Sequence, residues 1–150
     1  MKTGKVKHCV GCHKVRTKTN TDVLSTGYFR GRCKECFKIS CKEYEKTLNG
    51  YLVRTYRNMK SRVTGVLKKK AHLYKGKSIL DKEYFYKWSL TDKNYNKLHK
   101  VWVESGYNHK LSPSIDRIDS GKGYTKENIR WITHSENSRL GSINKGRNKL

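Results

Sequence analysis

Apolar side chains at Tyr44, Leu48, Leu52, Tyr56, Met59, Val63, Val66 and Leu67 recur at steps of three and four. That spacing collects them on one face of an α-helix. It predicts a long helix from Cys41 to about Lys70, which Gly50 and Gly65 can break or bend. Arg54, Arg57, Lys60 and Arg62 stand between the apolar positions, and the run Lys68, Lys69, Lys70 follows, so the opposite face is expected to be basic. Two shorter helical patterns come next: Phe85 and Trp88 behind a capping Asp81, then Tyr95, Leu98 and Trp102 behind Thr91 and Asp92, ending at Ser105 and Gly106. Their aromatic residues read as core faces.

From Leu111 the period changes. Ile115 and Ile118 bracket Asp116 and Arg117 as a short strand, Gly121 and Gly123 give a loop, and Ile129, Trp131 and Ile132 form a returning strand. A capping box, Thr133-x-x-Glu136, then opens a helix that Gly141 is expected to end. The predicted order is strand, loop, strand, helix, followed by a basic, mobile tail.

The first forty residues show no such periodicity. Gly11, Gly27 and Gly31 are turn-formers, and Val23, Leu24, Tyr28 and Phe29 are the few packing residues. Over the whole chain, hydrophobic residues make up 34% and the mean hydropathy is -0.94, so a metal or disulfides must supplement a thin core. Two knuckles, Cys9-Val-Gly-Cys12 and Cys33-Lys-Glu-Cys36, supply a candidate. Their spacing suits four thiolates around one tetrahedral Zn2+, and four protein ligands leave no position for a reacting water, so this zinc is expected to be structural. Cys41, His8 and His13 remain over; any of them could replace one cysteine, with Cys41 read as a free thiol at the start of the long helix.

Thirty-five Lys and Arg against twelve Asp and Glu give a formal charge of +23, which points to a polyanion partner. Charge alone fits a ribosomal or packaging protein as well as an enzyme. Neither a secretory leader nor an apolar run of about 20 residues is present, so a soluble, intracellular, cytoplasmic protein with no membrane contact is expected.

The segment from Pro113 to Leu140 resembles the HNH, or ββα-metal, endonucleases, especially phage-encoded and homing-type members with an N-terminal zinc module. The resemblance covers the Cys9 to Cys36 module more loosely and the middle of the chain only in kind. It implies an α+β chain in four parts: a zinc-ribbon or knuckle module (1–41), a basic helical DNA-docking region (42–106), a ββα-metal nuclease motif (107–141) and a basic tail (142–150). Asp116 and Asn137 look like the ligands of a catalytic Mg2+ or Mn2+, and Asn128 like the asparagine that pins the loop. Oxygen donors suit such a hard cation, which neutralises a scissile phosphate.

The family places a general-base histidine after its first ligand, and here that position is Arg117, which cannot accept a proton. Tyr124 is the first candidate for the substitute, as the resemblance to relatives with arginine here implies. Its pKa would have to be lowered from about 10 by the metal and Arg117. His134 and His109 compete for the role, and Arg117 is read as a clamp on the scissile phosphate. The expectation is an endonuclease acting on double-stranded DNA, with phosphate contacts from Arg54, Arg57, Lys60, Arg62, Lys68, Lys69 and Lys70. Double-strand cleavage would require a homodimer or sequential nicks. The alternative is a non-catalytic zinc-containing nucleic-acid-binding protein with a degenerate motif.

Overall fold

The second cysteine knuckle doubles as a helix start. A computed structural model describes residues 7–147, with side chains to residue 143, and in it Cys33 leads directly into α1 (Lys34–Lys46). The helix therefore begins seven residues before Cys41, which lies exposed in its body. The apolar periodicity sets in late because the first turns of α1 are anchored by cysteines instead of an apolar stripe. The expected break also moves: Thr47, not Gly50, separates α1 from α2 (Leu48–Val63), and the Thr47 hydroxyl caps α2 by accepting from the Gly50 amide at 3.1 Å. Gly65, at φ +78°, takes the left-handed turn just beyond the end of α2.

The chain divides into two compact units, Met1–Lys46 and Thr47–Leu150. Besides α1, the first is built from turns and two isolated antiparallel bridges, His8 with Val15 and Val23 with Phe29.

In the second unit, Lys68–Lys70 form a 3-10 turn leading into α3 (Ala71–Tyr74), and α4 (Lys82–Thr91) and α5 (Lys93–Glu104) follow. Asp81 accepts from the amides of Glu83 and Tyr84, and Asp92 from that of Tyr95; such caps contribute about 1 kcal/mol each. Next come β1 (Pro113–Arg117) and β2 (Ile129–Thr133), an antiparallel pair with Ile115 opposite Trp131 and Asp116 opposite Arg130. Helix α6 (His134–Arg147) continues through Gly141, which becomes an interior position and not the expected stop. Part of the predicted tail is thus helical, and residues 148–150 lie outside the described residues.

The architecture is mixed α+β, mostly helical, with one two-stranded sheet among the described residues. Trp131, Tyr95, Phe85, Tyr51 and Trp102 form an aromatic core with Leu52, Met59, Val63, Ile115 and Ile129. The Tyr95 and Trp131 ring centroids are 4.4 Å apart. Among the described residues no helix is long and apolar enough to cross a membrane.

Candidate functional site

The sulfurs of Cys9, Cys12, Cys33 and Cys36 all lie within 4.8 Å of one another, and Cys12 and Cys33 are 3.7 Å apart. A tetrahedral zinc with Zn–S bonds of about 2.3 Å has sulfur–sulfur edges of about 3.8 Å, so the cluster has the dimensions of a metal cage. It is too open for a disulfide. The Cys33 and Gly11 amides donate to the Cys9 sulfur at 3.3 and 3.4 Å. Backbone N–H groups, those of Cys33 and Cys12 foremost, bring the Cys9 thiol down to about 5, whereas hydrogen bonds with the Cys12 and Cys33 sulfurs push Cys36 up to about 12. Four sulfurs so placed could hold a divalent metal such as zinc. Gly11 makes room for it: a Cβ there would lie 3.1 Å from both the Cβ and the sulfur of Cys36. Cys41, His8 and His13 stand outside the cluster.

In the second unit, alternation along β1 turns Ser114 and Asp116 to one face and Ile115 and Arg117 to the other. Helix α6 crosses the first face. There the Asn137 amide nitrogen donates to the Ser114 hydroxyl at 2.7 Å and to the Ile115 carbonyl at 3.1 Å. A carbonyl can only accept, so these bonds fix the amide's orientation and leave Oδ1 as the atom available to a ligand. Asp116 shares this face and is largely covered, with an ion pair from Arg130 Nε to Oδ2 at 2.9 Å. Together these side chains could offer two hard oxygen donors from two elements, with Arg130 competing for the carboxylate.

Asn128 ties the loop between the strands. Its amide donates to the carbonyls of Asp119 and Gly123 at 3.0 and 2.8 Å and accepts from the Asp119 amide at 2.8 Å. It is buried and touches no reacting position, which makes it a positioning residue.

Two of the expected site residues are engaged within the fold. Tyr124 is only 1% exposed, its hydroxyl accepts from Arg62 at 3.1 Å, and its ring is stacked on Tyr74 with centroids 6.0 Å apart. Burial raises its pKa, while the Arg62 and Arg117 guanidinium groups pull it down. Arg117 is the second. It donates to the Lys122 carbonyl at 2.7 Å and lies over the Tyr74 ring at 4.1 Å and the Tyr124 ring at 5.5 Å. It is thus held by a carbonyl and two aromatic rings on the face of β1 opposite Asp116.

His134 and His109 come together instead, with ring centroids 4.2 Å apart. Burial, and then the neighbouring His109, hold His134 below the usual imidazole value. Both line a cavity of about 410 Å³ between α2, the start of β1 and the start of α6. Arg54, Asn58 and Arg62 reach it from α2, and Ser114 from β1.

The basic residues of α2 therefore serve two faces. At 100° per residue Arg54 and Arg62 are separated by roughly 80° and share the cavity side, while Arg57 and Lys60 lie round the helix and are exposed. Lys68, Lys69 and Lys70 are exposed as well. A helical wheel could have made this split, and strand alternation could have joined Ser114 to Asp116. The Arg130 pairing needs the hairpin register, and the meeting of His109 with His134 needs the fold. No family model, curated protein or solved structure matches this chain.

Proposed function

We propose that this chain is a metal-dependent DNA endonuclease of the HNH kind, with a structural zinc held by Cys9, Cys12, Cys33 and Cys36. The observation that carries the reading is the placement of Asn137 on α6 against the Asp116 face of β1, its amide oriented by Ser114 and Ile115. A carboxylate and an amide oxygen suit Mg2+ or Mn2+, which keeps most of its shell for water and substrate phosphate. Such an ion would neutralise charge on the scissile phosphate and stabilise the leaving oxygen.

The chain's own residues supply the rest. Asn137 and Asp116 position the site; Asn128 fixes the loop behind it. His134, its pKa held below the usual imidazole value by burial and then by His109, is the side chain suited to receive a proton from water, with His109 beside it. The exposed Arg57, Lys60 and Lys68–Lys70, within a chain of formal charge +23, attract double-stranded DNA without reading its sequence.

A second reading is favoured by the Arg130–Asp116 ion pair, which satisfies the carboxylate without any metal: a nucleic-acid-binding protein that does not cleave. Incubating the zinc-loaded protein with supercoiled plasmid and Mg2+ or Mn2+ separates the two. The endonuclease reading expects nicked or linear product, abolished by Asp116→Ala and by Asn137→Ala with DNA affinity nearly intact. Plasmid left whole by protein that binds it would establish the second reading.

A further inference from the structure

The cavity beside His109 and His134 has a composition that the metal site does not explain. Arg54, Arg62, His109 and His134 converge on it from two helices and a 3-10 turn, Asn58 adds an amide, and no Asp or Glu is among its lining residues. A concave site with this polarity selects an anion. Its size says more. At about 410 Å³ it lies in the range of roughly 300–1,000 Å³ typical of organic ligands, well beyond the needs of a bare phosphate. Tyr51, Trp102 and Tyr107 line it too, with the Trp102 and Tyr107 rings edge to face at 5.1 Å, so flat apolar surface stands beside the cationic groups.

We propose that this cavity binds one nucleotide unit of a nucleic-acid strand, its phosphate held between Arg54, Arg62 and the two imidazoles and its sugar and base against the aromatic side. Arg62 gives one N–H to Tyr124, which sets the guanidinium in place and leaves others of its five donors for the ligand. Tyr51 plays the same part for Arg54, whose guanidinium lies 4.6 Å from the ring centroid. A recessed site of this kind suits a nucleotide at a strand end or turned out of a duplex, because phosphates within a paired duplex meet a protein's outer face. Ser114 lines the cavity and also holds Asn137. The inference thus rests on the endonuclease reading for its place in a reaction, though not for the binding itself.

The test follows the His109 and His134 imidazole resonances of the full, zinc-loaded chain during titration with thymidine 5′-monophosphate, inorganic phosphate and thymidine. The nucleotide is expected to shift both histidines saturably and to bind about tenfold or more tightly than either fragment. Arg54→Gln should weaken nucleotide binding about tenfold, whereas Lys93→Gln, at an exposed position away from the cavity, should change it less than about twofold. Asn58→Asp, which places a negative charge in the cavity at an exposed position, should weaken binding similarly even if loss of Arg54 disturbs the fold. Histidine resonances that do not move with the nucleotide overturn the inference, as does equal weakening by Lys93→Gln and Arg54→Gln. Equal affinity for inorganic phosphate overturns its nucleotide part. The Asp116→Ala variant should bind nucleotide normally, so a chain that binds it yet never cuts plasmid refutes the endonuclease reading alone, and one that cuts without binding it refutes this inference alone.

Discussion

In the first unit the buried side chains are Cys9, Thr21 and Cys33, while Val10, Tyr28 and Ile39 stand 66%, 67% and 60% exposed. In the second, Tyr51, Phe85, Tyr95, Trp102 and Trp131 pack into one another with Leu52 and Met59 among them. The same basic chain thus meets the entropy of folding by two routes. Burying a large aromatic side chain is worth about 2–3 kcal/mol, and the second unit does so repeatedly. Among its described residues the first has no comparable area to bury, and its four cysteine sulfurs could gather around a cation instead. One region should answer to chelators and the other to changes in packing.

The largest effect expected is from stripping the cysteine metal. Amide resonances of residues 7–46 should collapse to unfolded positions, while emission from Trp88, Trp102 and Trp131, all in the second unit, stays unchanged. A dispersed spectrum for the first unit in metal-free protein would break the comparison. Next in size is Gly123→Ala. Its Cβ would fall 2.2 Å from the Ser78 carbonyl oxygen, and backbone must move to admit it. A loss of about 3 kcal/mol in the second unit is expected in urea melts followed by tryptophan emission, with zinc content unaffected.

Tyr124→Phe is smaller. It leaves a partly buried Arg62 donor without its hydroxyl, at a cost of about 1–2 kcal/mol, and because that hydroxyl is buried with a raised pKa the plasmid-cleavage rate should stay within about threefold. A drop of about a hundredfold would restore the tyrosine as base. The smallest effect concerns pH. His134 binds a proton less readily folded than unfolded, so the stability tied to its neutral form is complete above the unfolded value near 6.5 and is lost as pH falls through the lower folded value. The melting midpoint of the second unit should fall between pH 7 and pH 5, and less so in His134→Asn; equal falls would remove His134 as the cause.

Local rules were enough for part of this molecule. Asp81, Asp92 and Thr133 cap helices that the sequence already punctuates, and Thr133 accepts from the Glu136 amide at 3.2 Å. The cysteine spacing foretells a cluster because two tight knuckles can close on one point wherever the chain between them goes. Gly141 misled because glycine in an exposed helix costs only about 1 kcal/mol and does not by itself end one. The surroundings of Tyr124 and Arg117 were not legible, for a deeper reason. Both pack against Tyr74, brought by α3, a contact that no periodicity within the hairpin can disclose.

The loop between the strands is closed by a visitor. Ser78 accepts from the Tyr124 amide at 2.7 Å, Leu80 donates to the Tyr124 carbonyl at 2.9 Å, and Lys77 reaches the Ser120 carbonyl at 2.7 Å. Hairpins usually assemble in microseconds from neighbouring residues, but this one cannot complete its hydrogen bonds until a segment from before α4 has arrived. Its closing step is therefore long-range, and the hairpin and the helices between should open and reclose together. Hydrogen exchange at the Leu80 and Tyr124 amides would then report a single opening event, shared by the strap and the loop it fastens.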